Sequence, residues 1–265
     1  MDSRFSQEAK IRCYRIYRGV LTGYNEAFII DNQTKEALIA ADSKSSKIIK
    51  PILRGRDIQR YHSEWAGLWL IDSHNGYGDY PPVDIEDYPA IKTYLDKFYL
   101  KLKKRQDKGV TPYNLRNCNY HEEFEEEKII WKRIGSILRF SFDDNKMYGL
   151  DSACIATGKQ LKFLLAVLNS ELGNYLLEDS PKTGMGELIV SVQALEPILV
   201  PPITDENTSL ARKIESLVDR ILTAKRAVPT ADITNLEEQI NSLVYKLYGI
   251  NSKEIDLIRS IVCSR

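Results

Sequence analysis

The sequence predicts an α+β fold, a mixed-sheet body followed by a C-terminal helical bundle. Three observations lead there. Short runs rich in Ile, Val, Phe and Tyr recur up to residue 200, as half-buried strands require. Two amphipathic helical patterns interrupt them, and beyond Val200-Pro-Pro-Ile203 every pattern is helical. A boundary is therefore expected near Pro202 to Thr208, separating an α+β body (1–203) from a helical region (204–265) that packs on it or docks a partner.

Taken in order, Cys13–Tyr17 alternates and reads as a strand, Gly19–Asn25 as a turn-rich loop and Ala27–Ile30 as a short strand. Leu68–Ile71, Lys128–Arg133, Ile137–Phe142, Ala153–Ala156 and Leu188–Val192 are further strands, with a turn at Asp143–Lys146. Ala90–Arg105 places Ile91, Tyr94, Leu95, Phe98 and Leu102 on one helical face, and Gln160–Leu177 carries a broad leucine face. In the tail, Leu210, Ile214, Leu217, Val218 and Ile221 form one stripe and Leu236, Ile240, Leu243, Val244 and Leu247 a second. Thr234-Asn-Leu-Glu237 has the capping-box pattern, Gly249 suits a C-cap, and Ser252 can open a last helix.

Composition narrows the function classes. A chain of 265 residues, 43% apolar and 28% charged, has enough apolar side chains for a core. No apolar run approaches the roughly 18 to 20 residues of a membrane span, and Met1–Phe5 contains no apolar signal core, so a cytoplasmic protein without a membrane partner is expected. Cys13, Cys118, Cys154 and Cys263 are scattered and His62, His74 and His121 isolated, so neither a disulfide framework nor a metal site is expected.

The charges, 37 basic and 37 acidic, cancel but are segregated. Lys44, Lys47, Lys50, Arg54, Arg56 and Arg60 face a single acid, Asp57. No Lys or Arg occurs from Tyr61 to Ile91, a second basic block follows from Lys92, and Glu122 to Glu127 reverse the sign. Such blocks either form alternating solvated surface or present a positive face to phosphate.

A complete catalytic constellation is missing. There is no Walker loop, no G-x-G-x-x-G (Gly184-Met-Gly186 reads as a flexible turn), no paired-histidine motif and no Asn-Pro-Pro-Tyr loop. Glu126-Glu-Lys128 fits the short E-x-K pattern of a Mg²⁺-dependent nuclease, but such a pattern arises easily inside an acidic run.

Several stretches, in order, resemble one family. Gly19–Asp31, Ile49-Lys-Pro-Ile-Leu-Arg-Gly-Arg-Asp-Ile-Gln-Arg-Tyr61, Tyr88-Pro89, Tyr94-Leu95, Leu102–Arg105, Lys128–Ile130, Leu150–Ser152, Leu164–Leu172 and Glu238–Gly249 are similar to the TaqI-like C-terminal specificity domain of type IIG restriction-modification enzymes and adenine-specific DNA methyltransferases. The stretch from Leu168 to Pro202 also resembles target recognition domains of type I specificity subunits. The resemblance implies sequence-specific recognition of double-stranded DNA, directing methyltransferase and nuclease domains in cis or in trans. S-adenosylmethionine and Mg²⁺ would belong to those upstream domains, and no cofactor is expected here.

Within that frame, Lys50, Arg54, Arg56, Arg60, Lys101, Lys104 and Arg105 are candidates for DNA-backbone contacts, with Gly55 allowing close approach to a phosphate. A structural role for Arg54 and Arg56 is the alternative, for example Arg56 and Asp57 in buried pairs beneath the loop. Tyr24, Asn25, Lys132, Arg133 and Arg139 are candidate base readers. Two other functions stay open: a helical assembly module that holds a methyltransferase without reading DNA, and a nuclease built on Glu126 and Lys128.

Overall fold

A computed structural model describes residues 14–262. In chain order it contains β1 (Tyr14–Arg18), α1 (Asn25–Phe28), β2 (Ile29–Ile30), α2 (Asn32–Ala41), β3 (Ile49–Leu53), β4 (Trp69–Ile71), α3 (Pro89–Asp96) and α4 (Tyr99–Lys104). There follow β5 (Lys128–Lys132), β6 (Ile134–Gly135), β7 (Phe140–Asp143), β8 (Tyr148–Gly149), β9 (Ala153–Gly158), α5 (Leu161–Asn169) and α6 (Glu171–Leu176). The chain continues through β10 (Leu188–Ile189), α7 (Val192–Leu195), α8 (Thr208–Ala227), α9 (Thr234–Tyr248) and α10 (Ser252–Val262).

The central antiparallel sheet has the order β1-β9-β5-β7. Its two inner strands explain the apolar runs in the sequence, because both of their faces are buried. Ile129, Trp131, Cys154 and Ala156 point into one core, while Ile130, Ala153 and Ile155 point into another. The first core is completed by α5 and by tail residues such as Ile214, Val218, Ile221 and Val244. The second holds the sheet β2-β4-β3-β8, where β3 and β8 run parallel, and the helices α3 and α4. The mixed sheets and C-terminal helices are the α+β fold expected. The change of character at residue 203 marks no gap between cores, since α8 and α9 close over the sheet.

Local differences have local causes. Ala27 and Phe28 lie in a helical turn rather than a strand, which lets two consecutive side chains reach the same core, both fully buried. The helix expected over 90–105 breaks at Lys97-Phe98, where i→i+3 bonds to Tyr94 and Leu95 tighten the turn before α4. The helix expected over 160–177 breaks at Ser170, whose hydroxyl accepts from Gly173 N at 3.0 Å and opens α6. The strand from Ile137 begins only at Phe140, and that from Leu188 ends at Ile189. Helix α2, capped by Asp31 accepting from Thr34 N, is not among the elements expected from the sequence.

The tail is capped by other residues than expected. Asp232 accepts from Thr234 N at 3.0 Å, leaving Glu237 free to bind elsewhere. Asn251 and Glu254 form the reciprocal box at α10, so Ser252 is not its cap. Gly249 ends α9 at a left-handed φ of 65°, as expected. Cys13 and Cys263 lie outside the described residues, and Cys118 and Cys154 are free thiols.

Candidate nucleic-acid interface

The pairing of the central sheet sets Arg18 opposite Cys154 and Lys132 opposite Ala153, so two basic residues leave the sheet at the same end. The turn Arg54–Asp57 packs there. Gly55 N donates to Ser152 Oγ at 3.0 Å, and Arg133 N donates to Ser152 O at 2.9 Å. Val190 N donates to the Arg133 carbonyl at 2.8 Å, which pins that residue from both sides. Burial pushes the Cys154 thiol up to about 12 against the opposing pull of the Arg133 and Arg18 charges.

Gly55 is needed for a different reason from the one expected. A side chain on it would meet Ser152 O at 2.6 Å and the Lys132 stem at 3.0 Å. Its bare face is filled by the protein itself, and no phosphate can reach it. Lys132 extends from that contact over Gly135, where a side-chain carbon would stand 3.5 Å from the ammonium. The crest thus presents Lys132 and Arg56, both exposed, and Arg133, partly exposed with a buried, unpaired Nε. None of these three forms an ion pair among the described residues. Arg139 borders the crest through a hydrogen bond to Gln59, and Arg18 is held loosely by Asp151 at 3.4 Å.

The other candidates are divided between different jobs. Arg54, not Arg56, closes on Asp57: its Nε and Nη2 donate at 2.9 and 2.7 Å, and that pairing raises its pKa. Lys50 binds Glu125 at 2.8 Å, and Arg60 binds Glu237 and the Asn169 carbonyl. Arg105 is corrected outright. It is 6% exposed, its guanidinium donates to the carbonyls of Thr22, Pro112 and Asn114, and burial lowers its pKa to about 10. A side chain so enclosed cannot touch DNA. Lys101 donates to Tyr24 Oη at 2.7 Å beside Glu26, Asn25 accepts from Thr22 Oγ1, and Lys104 is exposed at the end of α4. These four stand around α1 and α4, apart from the crest residues joined through Ser152.

The Glu126–Lys128 nuclease is also overturned. Lys128 is fully buried, its ammonium bound to Asp143 at 2.7 Å and to the carbonyls of Phe124 and Glu126. Its three donors are spent in the core, and the Glu126 side chain is at the surface. Among the described residues no cluster of His, Cys, Asp or Glu is placed to hold a metal. His121 is instead a buried partner of Asp72, stacked on Tyr77. No described helix is long and apolar enough to cross a membrane.

The fold and the crest define an α+β domain that presents unpaired cations on one sheet end. The chain belongs to the TaqI-like C-terminal specificity domain family, whose profile matches residues 50–191, and is a target recognition domain of the restriction-modification kind. It is 22% identical over 249 residues to the type II methyltransferase M.XhoI of Xanthomonas vasicola, spanning 92% of this chain and 41% of that protein. Its fold is shared with the type IIL restriction-modification enzyme MmeI, solved in complex with DNA, at a TM-score of 0.68 and 12% identity. That match covers 94% of this chain and 35% of MmeI.

Proposed function

We propose that this chain is the double-stranded DNA recognition module of a type IIG restriction-modification enzyme or adenine-specific methyltransferase of bacterial defence, acting in the cytoplasm. Methyl transfer and cleavage would be performed by a catalytic portion that binds S-adenosylmethionine and Mg²⁺. The observation that carries this reading is the crest itself: Arg56, Lys132 and Arg133 lie at one end of the central sheet without carboxylate partners among the described residues, whereas Lys50, Arg54 and Arg60 of the same basic block are each ion-paired. Unpaired cations at one sheet end suit a polyanion.

The roles divide by geometry. Arg56 and Lys132, exposed at the rim, suit phosphates and set the register. Arg133, fixed by two backbone bonds, and Arg139, oriented by Gln59, suit the forked donation that identifies a guanine edge. The assembly reading draws less support, because the apolar stripes of α8 and α9 are already spent on the body's own core. The test is selection from a duplex library with a randomised centre. Enrichment of one sequence by the purified chain is expected, and failure to retain any duplex at low salt would overturn the reading.

A further inference from the structure

The segment around Gly184-Met185-Gly186 is a hairpin built into the crest. Lys182 and Leu188 bridge as antiparallel partners, and β10 then pairs with β6, whose strand begins directly after Lys132 and Arg133. The tip is closed by Gly186 N donating to Thr183 O at 2.9 Å and Thr183 N donating to Glu187 O at 2.8 Å. Gly186 takes a φ of 83°, which glycine adopts without strain. Between the glycines, Met185 is 91% exposed, and nothing lies within 4 Å of where a side chain on Gly184 or Gly186 would stand.

The neighbouring loop repeats the feature. The ladder ends with Leu188 opposite Gly135, so the hairpin tip and the segment Ser136–Leu138 leave the same end of the β6-β10 ribbon, and Ile137 there is 66% exposed. The Lys132 ammonium stands at the foot of this loop: the point 3.5 Å from it above Gly135 is 3.6 Å from the Ile137 carbonyl. One exposed apolar residue is ordinary. Two, on segments that leave the same end of one short ribbon rooted beside unpaired cations, match a partner that is anionic outside and apolar within. Stacked bases behind phosphates have that character, and apolar wedges of Met and Ile are the type that open base steps.

We propose that Met185 and Ile137 form a two-residue wedge that enters a groove of duplex DNA and unstacks a base step, kinking the duplex. This rests on the reading of the crest as the DNA face. Arg56 and Lys132 would hold the phosphates while the wedge enters, so that the energy of deforming a given step adds to specificity without a base contact.

The test is hydroxyl-radical footprinting, read by mass spectrometry, of the full chain free and bound to duplexes enriched from the randomised library. Labelling of Met185 and Ile137 is expected to fall at least fivefold on binding, while Leu257 of α10, 55% exposed, stays unchanged. The double variant Met185→Ser, Ile137→Ser is expected to bind about tenfold more weakly with an unchanged salt slope, and Met185→Leu to bind as wild type. A bound complex in which Met185 is labelled as in the free protein overturns the wedge while leaving the DNA reading intact. Failure to enrich any duplex removes the DNA reading, and the wedge with it.

Discussion

Arg60, from the body, closes on Glu237 of α9, and the same guanidinium donates to the Asn169 carbonyl at the end of α5. A basic residue that sequence places among DNA contacts is thereby a clasp between body and tail. With Arg60 33% and Glu237 23% exposed, solvent screens the pair. The loss on Arg60→Gln is set mainly by the carbonyl left without its donor, about 1 to 2 kcal/mol. Urea unfolding is expected to show that loss with the m-value unchanged, and an unaltered midpoint would show the clasp to be inert.

The tail should be inseparable from the body. Removing residues after 203 uncovers the apolar surface that Ile214, Val218, Ile221 and Val244 cover. The shortened chain is expected to aggregate or unfold without cooperativity, as seen by gel filtration and circular dichroism. In the full chain, Ile221→Ala should cost about 2 to 5 kcal/mol, because Ile221 is fully buried. A monomeric, cooperatively folding 1–203 fragment would contradict the shared core.

Lys128 and Asp143 should behave as a structural pair. Lys128→Met strands a buried carboxylate and is expected to cost about 3 to 5 kcal/mol, whereas Lys128→Met with Asp143→Leu should recover much of that loss. Calorimetry on the three proteins measures the coupling. Additive losses would show that the two groups are independent.

These pairings mark where sequence stops informing. The strands β5 and β9 and the stripes of α8 and α9 are legible because burial writes itself as apolar periodicity. The exchange of roles between Arg54 and Arg56 is not, because it depends on a single 3₁₀ turn. That turn carries Asp57 back under Arg54, three residues away, and turns Arg56 outward. Arg105 is less legible still, since the carbonyls it satisfies belong to residues 22, 112 and 114. The crest is half legible: Lys132, Arg133 and Arg56 are evident as cations, but only strand register brings them to one end of the sheet.

Acid should weaken the fold through His74. Burial lowers its pKa from 6.5, with His121 and Lys50 acting in the same sense and Asp72 against. The unfolded chain therefore takes up a proton that the folded chain resists, and stability present above pH 6.5 is lost as pH falls toward the lower folded value. His74→Asn, which can still accept from Gly76 N, is expected to flatten the decline of the urea midpoint between about pH 7 and 5. An unchanged decline would assign it to other groups.

The central claim is that the crest of Arg56 and Lys132 engages phosphates while Lys50 is occupied by Glu125. The most direct measurement is the salt dependence of duplex binding by fluorescence anisotropy, for wild type, Lys50→Gln and the double variant Arg56→Gln, Lys132→Gln, each verified as folded. Each phosphate neutralised contributes roughly −0.9 to the slope of log K against log salt. The double variant is therefore expected to flatten the slope by roughly 2 units while keeping its sequence preference, and Lys50→Gln to leave the slope as in wild type. A folded double variant with the wild-type slope, or a slope lost with Lys50 instead, would contradict the account.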